Sequence, residues 1–175
     1  MNAIEEQPTT GTAQEGIPSS GQLSVDDATR ATQPHLPYAD AVYAALAELQ
    51  LLPDLVEAGT RREGTVMGKR QPPELFARLV WLPGHDDLAT LDVQAEGLTV
   101  EWSHLGGWAI RSGSDLVVLD VDDLADPATV AEAAMHAALC GLGCGCDRPP
   151  PGRWAHAVYL DIALVAYDER QGGAR

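Results

Sequence analysis

Positive charge is scarce in this sequence: 11 lysines and arginines stand against 26 aspartates and glutamates, for a formal net charge of −15. Such a balance repels phosphate backbones, because nucleic-acid binding depends on cationic side chains that release counterions. Long apolar runs are also missing. None approaches the roughly 18 residues that cross a bilayer, and no basic stretch followed by an apolar one opens the chain as a secretory leader would. Cysteine is limited to three residues, which is not the even, dense set of a disulfide framework. These absences set the expectation of a cytoplasmic protein that meets neither membranes nor nucleic acid directly. No Gly-x-Ser-x-Gly elbow, His-Glu-x-x-His pair, phosphate-binding loop or dinucleotide fingerprint is present, so a non-enzymatic role without a cofactor is expected.

What the sequence does contain is enough apolar material for one core, with 45% hydrophobic residues in a chain of 175. Residues 1–34 are polar and acidic, and Ile4, Ile17, Leu23 and Val25 are too scattered to form a face; a disordered tail is expected there. Residues 35–170 are expected to form a single domain, with a Cys/Gly/Pro loop at 140–153 and a flexible end at 171–175.

Pro37 opens a helix over about 37–52, in which Tyr38, Val42, Ala45, Leu46 and Leu49 make one apolar stripe. Residues 59–73, with their glycines, paired prolines and the cations Arg61, Arg62, Lys69 and Arg70, read as a solvated loop. Short strand-like segments follow at 75–82, 88–95, 98–103, 108–110 and 116–121, several of them alternating with period two. Asp126-Pro127 is a helix start, a cap acceptor followed by proline, and Gly141 and Gly143 end that helix. Segment 154–168 mixes alanines with Val, Tyr and Ile; helix is the preferred assignment. The fold class expected is therefore α+β: an antiparallel meander of four or five strands with helices packed on one face.

The charge is uneven along the chain. Residues 86–132 hold eleven acids and one arginine, and residues 61–78 carry a net excess of cations. An acidic meander presented to a basic or partly apolar partner protein is the functional expectation, with Asp120, Asp122 and Asp123 as the acidic contacts and Trp102 and Trp108 as aromatic anchors if they share an exposed side; otherwise they, like Trp81, are core or half-core residues. An acidic surface that imitates DNA and inhibits a nucleic-acid-binding protein is a third reading. The second is a zinc or thiol redox site. His136, Cys140, Cys144 and Cys146 form an H-x3-C-x3-C-x-C cluster, in which His136 and Cys140 share a helix face and the glycine-rich turn brings the other thiols back. Four such ligands suit tetrahedral zinc, although C-x-C is tighter than the usual spacing. Without metal, the same thiols read as a buried cysteine and a redox pair.

The run Val117-Val118-Leu119-Asp120-Val121-Asp122 resembles the first motif of haloacid-dehalogenase-type phosphotransferases, where an apolar strand delivers a nucleophilic aspartate and a second aspartate two residues on. The Gly-Thr that follows in that family is absent here, and no lysine lies after Lys69, so the aspartates are expected to be turn and cap residues. His85-Asp86-Asp87 reads as a turn, and His35, His104 and His156 as structural or solvated histidines. Ser103 or Ser114 with His104 and an aspartate makes no triad by spacing.

The helix PYADAVYAALAEL, the strands LTVEW and GWAIR, and the closing LVVLDV…LADPATVAEAAMHAAL resemble a family of small actinobacterial domains of unknown function. The match spans about residues 35–142, and the regions 59–97 and 140–175 depart from the pattern. The resemblance implies a helix–meander–helix fold and carries over no catalytic residue. The element order is also similar to small secretion-chaperone-type folds, which hold a partner segment on the sheet face; fold alone does not give function.

Overall fold

Period-two alternation builds the centre of the molecule. In the strand Glu74–Trp81, every second residue (Leu75, Ala77, Leu79, Trp81) is buried and the residues between them are half-exposed. The strand Leu98–Ser103 repeats this with Leu98, Val100 and Trp102, and Gly107–Ser112 adds Trp108 and Ile110. The computed structural model describes residues 29, 32–61, 64–66, 69–71, 73–144 and 152–172. Among them the strands are β1 (Leu55–Arg61), β2 (Gly64–Val66), β3 (Lys69–Gln71), β4 (Glu74–Trp81), β5 (Leu98–Ser103), β6 (Gly107–Ser112) and β7 (Asp115–Val118). The helices are α1 (Leu36–Glu48), α2 (Leu91–Glu96), α3 (Pro127–Cys140) and α4 (Ala157–Gly172).

The five-stranded antiparallel sheet has the order β1-β4-β5-β6-β7, and β2 and β3 pair as a separate hairpin. Directly opposed residues share a face, so Ala77↔Trp102↔Trp108 and Leu79↔Val100↔Ile110 run as apolar rows across three strands. The helices cover that face, which makes the fold α+β. α1 packs on α3, burying Tyr38, Val42 and Leu46 against a helix whose buried residues include Val130, Ala131, Ala134 and Ala138. Small side chains let the two backbones approach closely.

Both main helix starts follow the sequence. Pro37 stands in the first turn of α1, and the Asp126 side chain accepts from the Ala128 amide at 2.9 Å, capping α3. α4 gives helix to the ambiguous segment from Ala157 onward and continues through Gly172. Residues 1–28 of the expected tail and 145–151 of the expected loop lie outside the described residues.

Two segments differ from expectation. Residues 88–95 are not a strand: β4 and β5 pair directly, from Trp81↔Leu98 onward, which leaves 82–97 as a long connection between two adjacent antiparallel strands, carrying α2. The apparent alternation there does not mark a buried face, since Leu91 is 82% exposed while Val93 is buried. Gly97, at φ 77, closes this connection where a Cβ would fall 2.6 Å from the Trp81 carbonyl oxygen. The region expected as a loop at 59–73 contains the end of β1 and the β2–β3 hairpin. β1 escaped the hydrophobic pattern because it is an edge strand, mostly exposed, whose outward positions include the charged Glu57 and Arg61.

Candidate interaction surface

Trp102 and Trp108 are core residues, not surface anchors. Each is 2% exposed, and their N–H groups are satisfied internally. Trp102 Nε1 donates to the Asp123 carbonyl at 2.6 Å, and Trp108 Nε1 donates to Tyr38 Oη at 3.0 Å. Tyr38 Oη in turn donates to the Ala125 carbonyl at 2.7 Å, and burial pushes its ionisation upward. The correction has a simple cause: both tryptophans stand in phase with Leu98, Val100 and Ile110 on the covered face of the sheet.

The open face of the sheet is not acidic either. On its outward positions, Arg61 meets Glu74 at 2.6 Å, Arg78 meets Glu57 at 3.4 Å and Arg111 meets Glu101 at 3.8 Å. Arg61 also lies over the Phe76 ring, 4.9 Å from its centroid. Opposite charges therefore alternate across β1, β4, β5 and β6, and the acidity lies elsewhere.

It gathers in the turn between β7 and α3, where Asp120, Asp122, Asp123 and Asp126 fall within seven residues. These aspartates also shape the turn. Asp122 Oδ1 accepts from the Leu124 amide at 2.9 Å. The Asp123 side chain rests against Gly107, where a Cβ would come within 2.6 Å of Oδ1. Gly107 has φ 67, so glycine is required there twice over. Arg153 ties this turn to α4: its Nε donates to Asp122 at 3.1 Å and its outer nitrogen reaches both oxygens of Asp161, at 2.7 and 3.0 Å. Both carboxylates hold the guanidinium above its ordinary range. The segment before α4 is pinned along the turn by Asp126 N to Gly152 O and Trp154 N to Leu124 O, each 2.9 Å.

α4 is the element whose surface sequence reasoning missed. Its inner side buries Ala157, Leu160 and Tyr167. Its outer side carries Val158, Tyr159, Ile162 and Val165, exposed at 61, 74, 65 and 59%. Positions 158, 162 and 165 recur at i, i+4 and i+7, which aligns them as a second apolar stripe. A helix apolar on both sides normally has both sides covered. The signal in the sequence was the ambiguity of 154–168 itself, whose polar positions Asp161 and Asp168 fall on one narrow strip and leave apolar residues on either side of it.

Near its C-terminus α4 is latched to the sheet by histidine. His104 Nδ1 accepts the Leu75 amide at 3.0 Å, so its Nε2 carries the proton and donates to Asp168 at 3.2 Å. Ser103 Oγ instead accepts the Gly106 and Leu105 amides, at 2.9 and 3.3 Å. With both ring nitrogens committed, His104 has none left to take a proton from a hydroxyl, and Ser103, His104 and Asp168 do not make a triad. His35 is buried outright: its Nε2 donates to the Phe76 carbonyl at 3.0 Å, its ring stacks on Trp102 at 5.8 Å, and burial lowers its pKa to about 4.

Of the proposed zinc ligands, His136 is half-buried on α3, Cys140 is exposed at its last residue and Cys144 is half-buried beyond Gly143. Cys146 lies outside the described residues. Among the described residues no three His, Cys, Asp or Glu side chains come together as a metal-holding group, so the three visible members of that set are not assembled as ligands. Also among the described residues, no helix is long and apolar enough to cross a membrane.

No protein-family model, curated protein or solved structure matches this chain. The role of the surface has to come from its own chemistry.

Proposed function

We propose that this protein is a non-enzymatic interaction module whose α4 face, bordered by the acidic 120–126 turn, receives a basic amphipathic helix of a partner protein. The observation that carries this reading is the outward stripe Val158–Tyr159–Ile162–Val165 on a helix whose inner side is already in the core. Burying each such side chain stabilises a complex by about 1.5–3 kcal/mol, and an exposed tyrosine is a common anchor. Charge complementarity selects the partner. Arg153 is shared between Asp122 and Asp161, while the turn it braces carries four aspartates, so lysines or arginines flanking an apolar helix face gain by docking beside them. The acidic contacts anticipated at Asp120, Asp122 and Asp123 are kept in this reading, and Tyr159 takes the anchoring role first given to the tryptophans.

The test uses a synthetic lysine–leucine amphipathic peptide as probe, titrated calorimetrically into the full chain. Ile162→Asp places a charge in the middle of the stripe and is expected to weaken binding about tenfold or more. Val118→Asp adds the same charge at an equally exposed apolar position on β7 and is expected to leave affinity within about twofold, since a lone rim charge contributes little. Equal weakening by both substitutions would mean that the loss is not specific to α4 and would contradict the docking site; a net-charge effect alone would strengthen binding of a basic peptide.

A further inference from the structure

The two edges of the sheet are not alike. β1 is blunted by charge, since Glu57 pairs with Arg78 and Arg61 with Glu74 along it. β7, at the other edge, is exposed throughout, with Leu116, Val117 and Val118 at 48, 37 and 65%. No charged side chain interrupts those aliphatic residues.

The register shows which main-chain groups this edge leaves open. Ile110↔Val117 and Ser112↔Asp115 lie in the same ladder as Trp108, whose carbonyl accepts the Leu119 amide at 2.9 Å. Hydrogen-bonded pairs alternate along an antiparallel ladder, so Asp115, Val117 and Leu119 turn their amides and carbonyls towards β6. Leu116 and Val118 turn theirs away. No strand lies beyond β7, and among the described residues neither Leu116 nor Val118 has a main-chain partner on that side. Their side chains stand together on the open face, because Leu116 is opposite Arg111 and Val118 is opposite Ala109. The edge therefore offers alternating donors and acceptors beside a short aliphatic row, which is a template for one more strand.

Charge selects what fits it. The aliphatic run is bracketed by Asp115 and Asp120, with Asp122 and Asp123 beyond, all exposed. From residue 112 to residue 147 the sequence holds no lysine or arginine. A second copy fits poorly. Antiparallel self-pairing about Val117 would set Asp115 of one copy next to Asp120 of the other, on chains of net charge −15. Residues 1–28 of the chain itself, with five acids and no lysine or arginine, match the edge no better.

We infer that β7 takes up an extended segment of a partner protein as a further antiparallel strand, a segment with aliphatic residues at alternate positions between lysines or arginines. Strand addition of this kind draws affinity from main-chain hydrogen bonds and specificity from alternate side chains. The partner's aliphatic residues lie beside Leu116 and Val118 on the open face, and its cations reach Asp115 and Asp120 at the two ends.

Calorimetric titration of the full chain with a blocked peptide of alternating valine and lysine, lysine at both ends, tests the edge. Saturable one-to-one binding is expected. The same peptide N-methylated at its valines keeps its charge but loses the donors that face β7, and binding weaker by about tenfold or more is expected. Replacing its lysines by glutamate is expected to abolish binding. On the protein side, Leu116→Pro removes an outward amide that β6 does not use, a change that edge strands tolerate, and is expected to weaken binding about tenfold. The N-methylated peptide decides the question on the native chain, whatever proline does to the hairpin. No saturable binding, or equal binding of the N-methylated peptide, would overturn the inference, because diffuse attraction to an acidic protein needs no amide. Retained binding of the glutamate peptide would overturn the basic partner. A dimer at sedimentation equilibrium without peptide, abolished by Leu116→Pro, would overturn it too, by giving the edge to a second copy. None of these outcomes bears on α4, whose probe is a helix and whose tested residue, Ile162, lies on another element.

Discussion

Trp102→Ala is expected to destabilise the domain by about 3–5 kcal/mol, read as a drop in the urea midpoint at constant slope. The side chain is 2% exposed, stacks on His35 at 5.8 Å and meets Tyr38 edge-on at 5.8 Å. Removing it leaves a cavity bordered by three other core elements and orphans the Asp123 carbonyl that its N–H satisfied. Against a total stability of about 5–15 kcal/mol for a domain of this size, the loss brings the protein near unfolding. Trp102→Phe keeps most of the packing and loses the hydrogen bond, so about 1–2 kcal/mol is expected. An alanine variant that stays fully stable yet loses peptide binding would return Trp102 to the surface role expected from sequence.

Acidification gives the second large effect. His35 is buried with one nitrogen donating to Phe76 and Nδ1 unpartnered, and burial lowers its pKa from 6.5 to about 4. The folded state holds the ring neutral, whereas the unfolded chain takes a proton as pH falls below 6.5. Between 6.5 and about 4 the unfolded state therefore binds more protons, and stability falls with falling pH. The contribution is fully present above 6.5, declines by about 2 kcal/mol at pH 5 and levels off at about 3 kcal/mol below the folded pKa. His35→Gln removes the titration. Denaturation of the two proteins at pH 7.5 and pH 5 separates this effect from carboxylates, which protonate mainly below about pH 5. A difference between them that does not change over that range would contradict the assignment.

The alternation in 75–82 and 98–103, and the Asp126-Pro127 signal, placed β4, β5 and α3 almost residue by residue, because each depends on local physics: a period-two face or an N-cap. The same alternation puts Trp102 in phase with Val100 and Trp108 in phase with Ile110, so of the two readings open to them, core residue and surface anchor, the buried one was legible from pattern. The connection at 82–97 was not legible in this way. Leu91 and Val93 alternate as a strand would, and only the direct pairing of β4 with β5, a contact between distant segments, leaves no place for a strand between them. β1 was hidden for the opposite reason, since an edge strand that pairs Arg61 with Glu74 and Glu57 with Arg78 needs few apolar residues. The acidity of 86–132 was correct as a sum, but the fold divided it. Glu101 was neutralised on the open face, three carboxylates went to a cleft beside α2 and β7, and four aspartates went to the turn that Arg153 joins to α4. No local pattern anticipates that last link, because Asp122, Arg153 and Asp161 meet only once the chain has folded.

The most direct test of the α4 face is a backbone amide map by nuclear magnetic resonance during titration with the lysine–leucine amphipathic peptide. Shifts concentrated on residues 158–165 and 120–126, with the outward residues of β4 and β5 unmoved, are the predicted result. Shifts centred on the open sheet face around Phe76, Arg78 and Glu101, with α4 silent, would contradict the account.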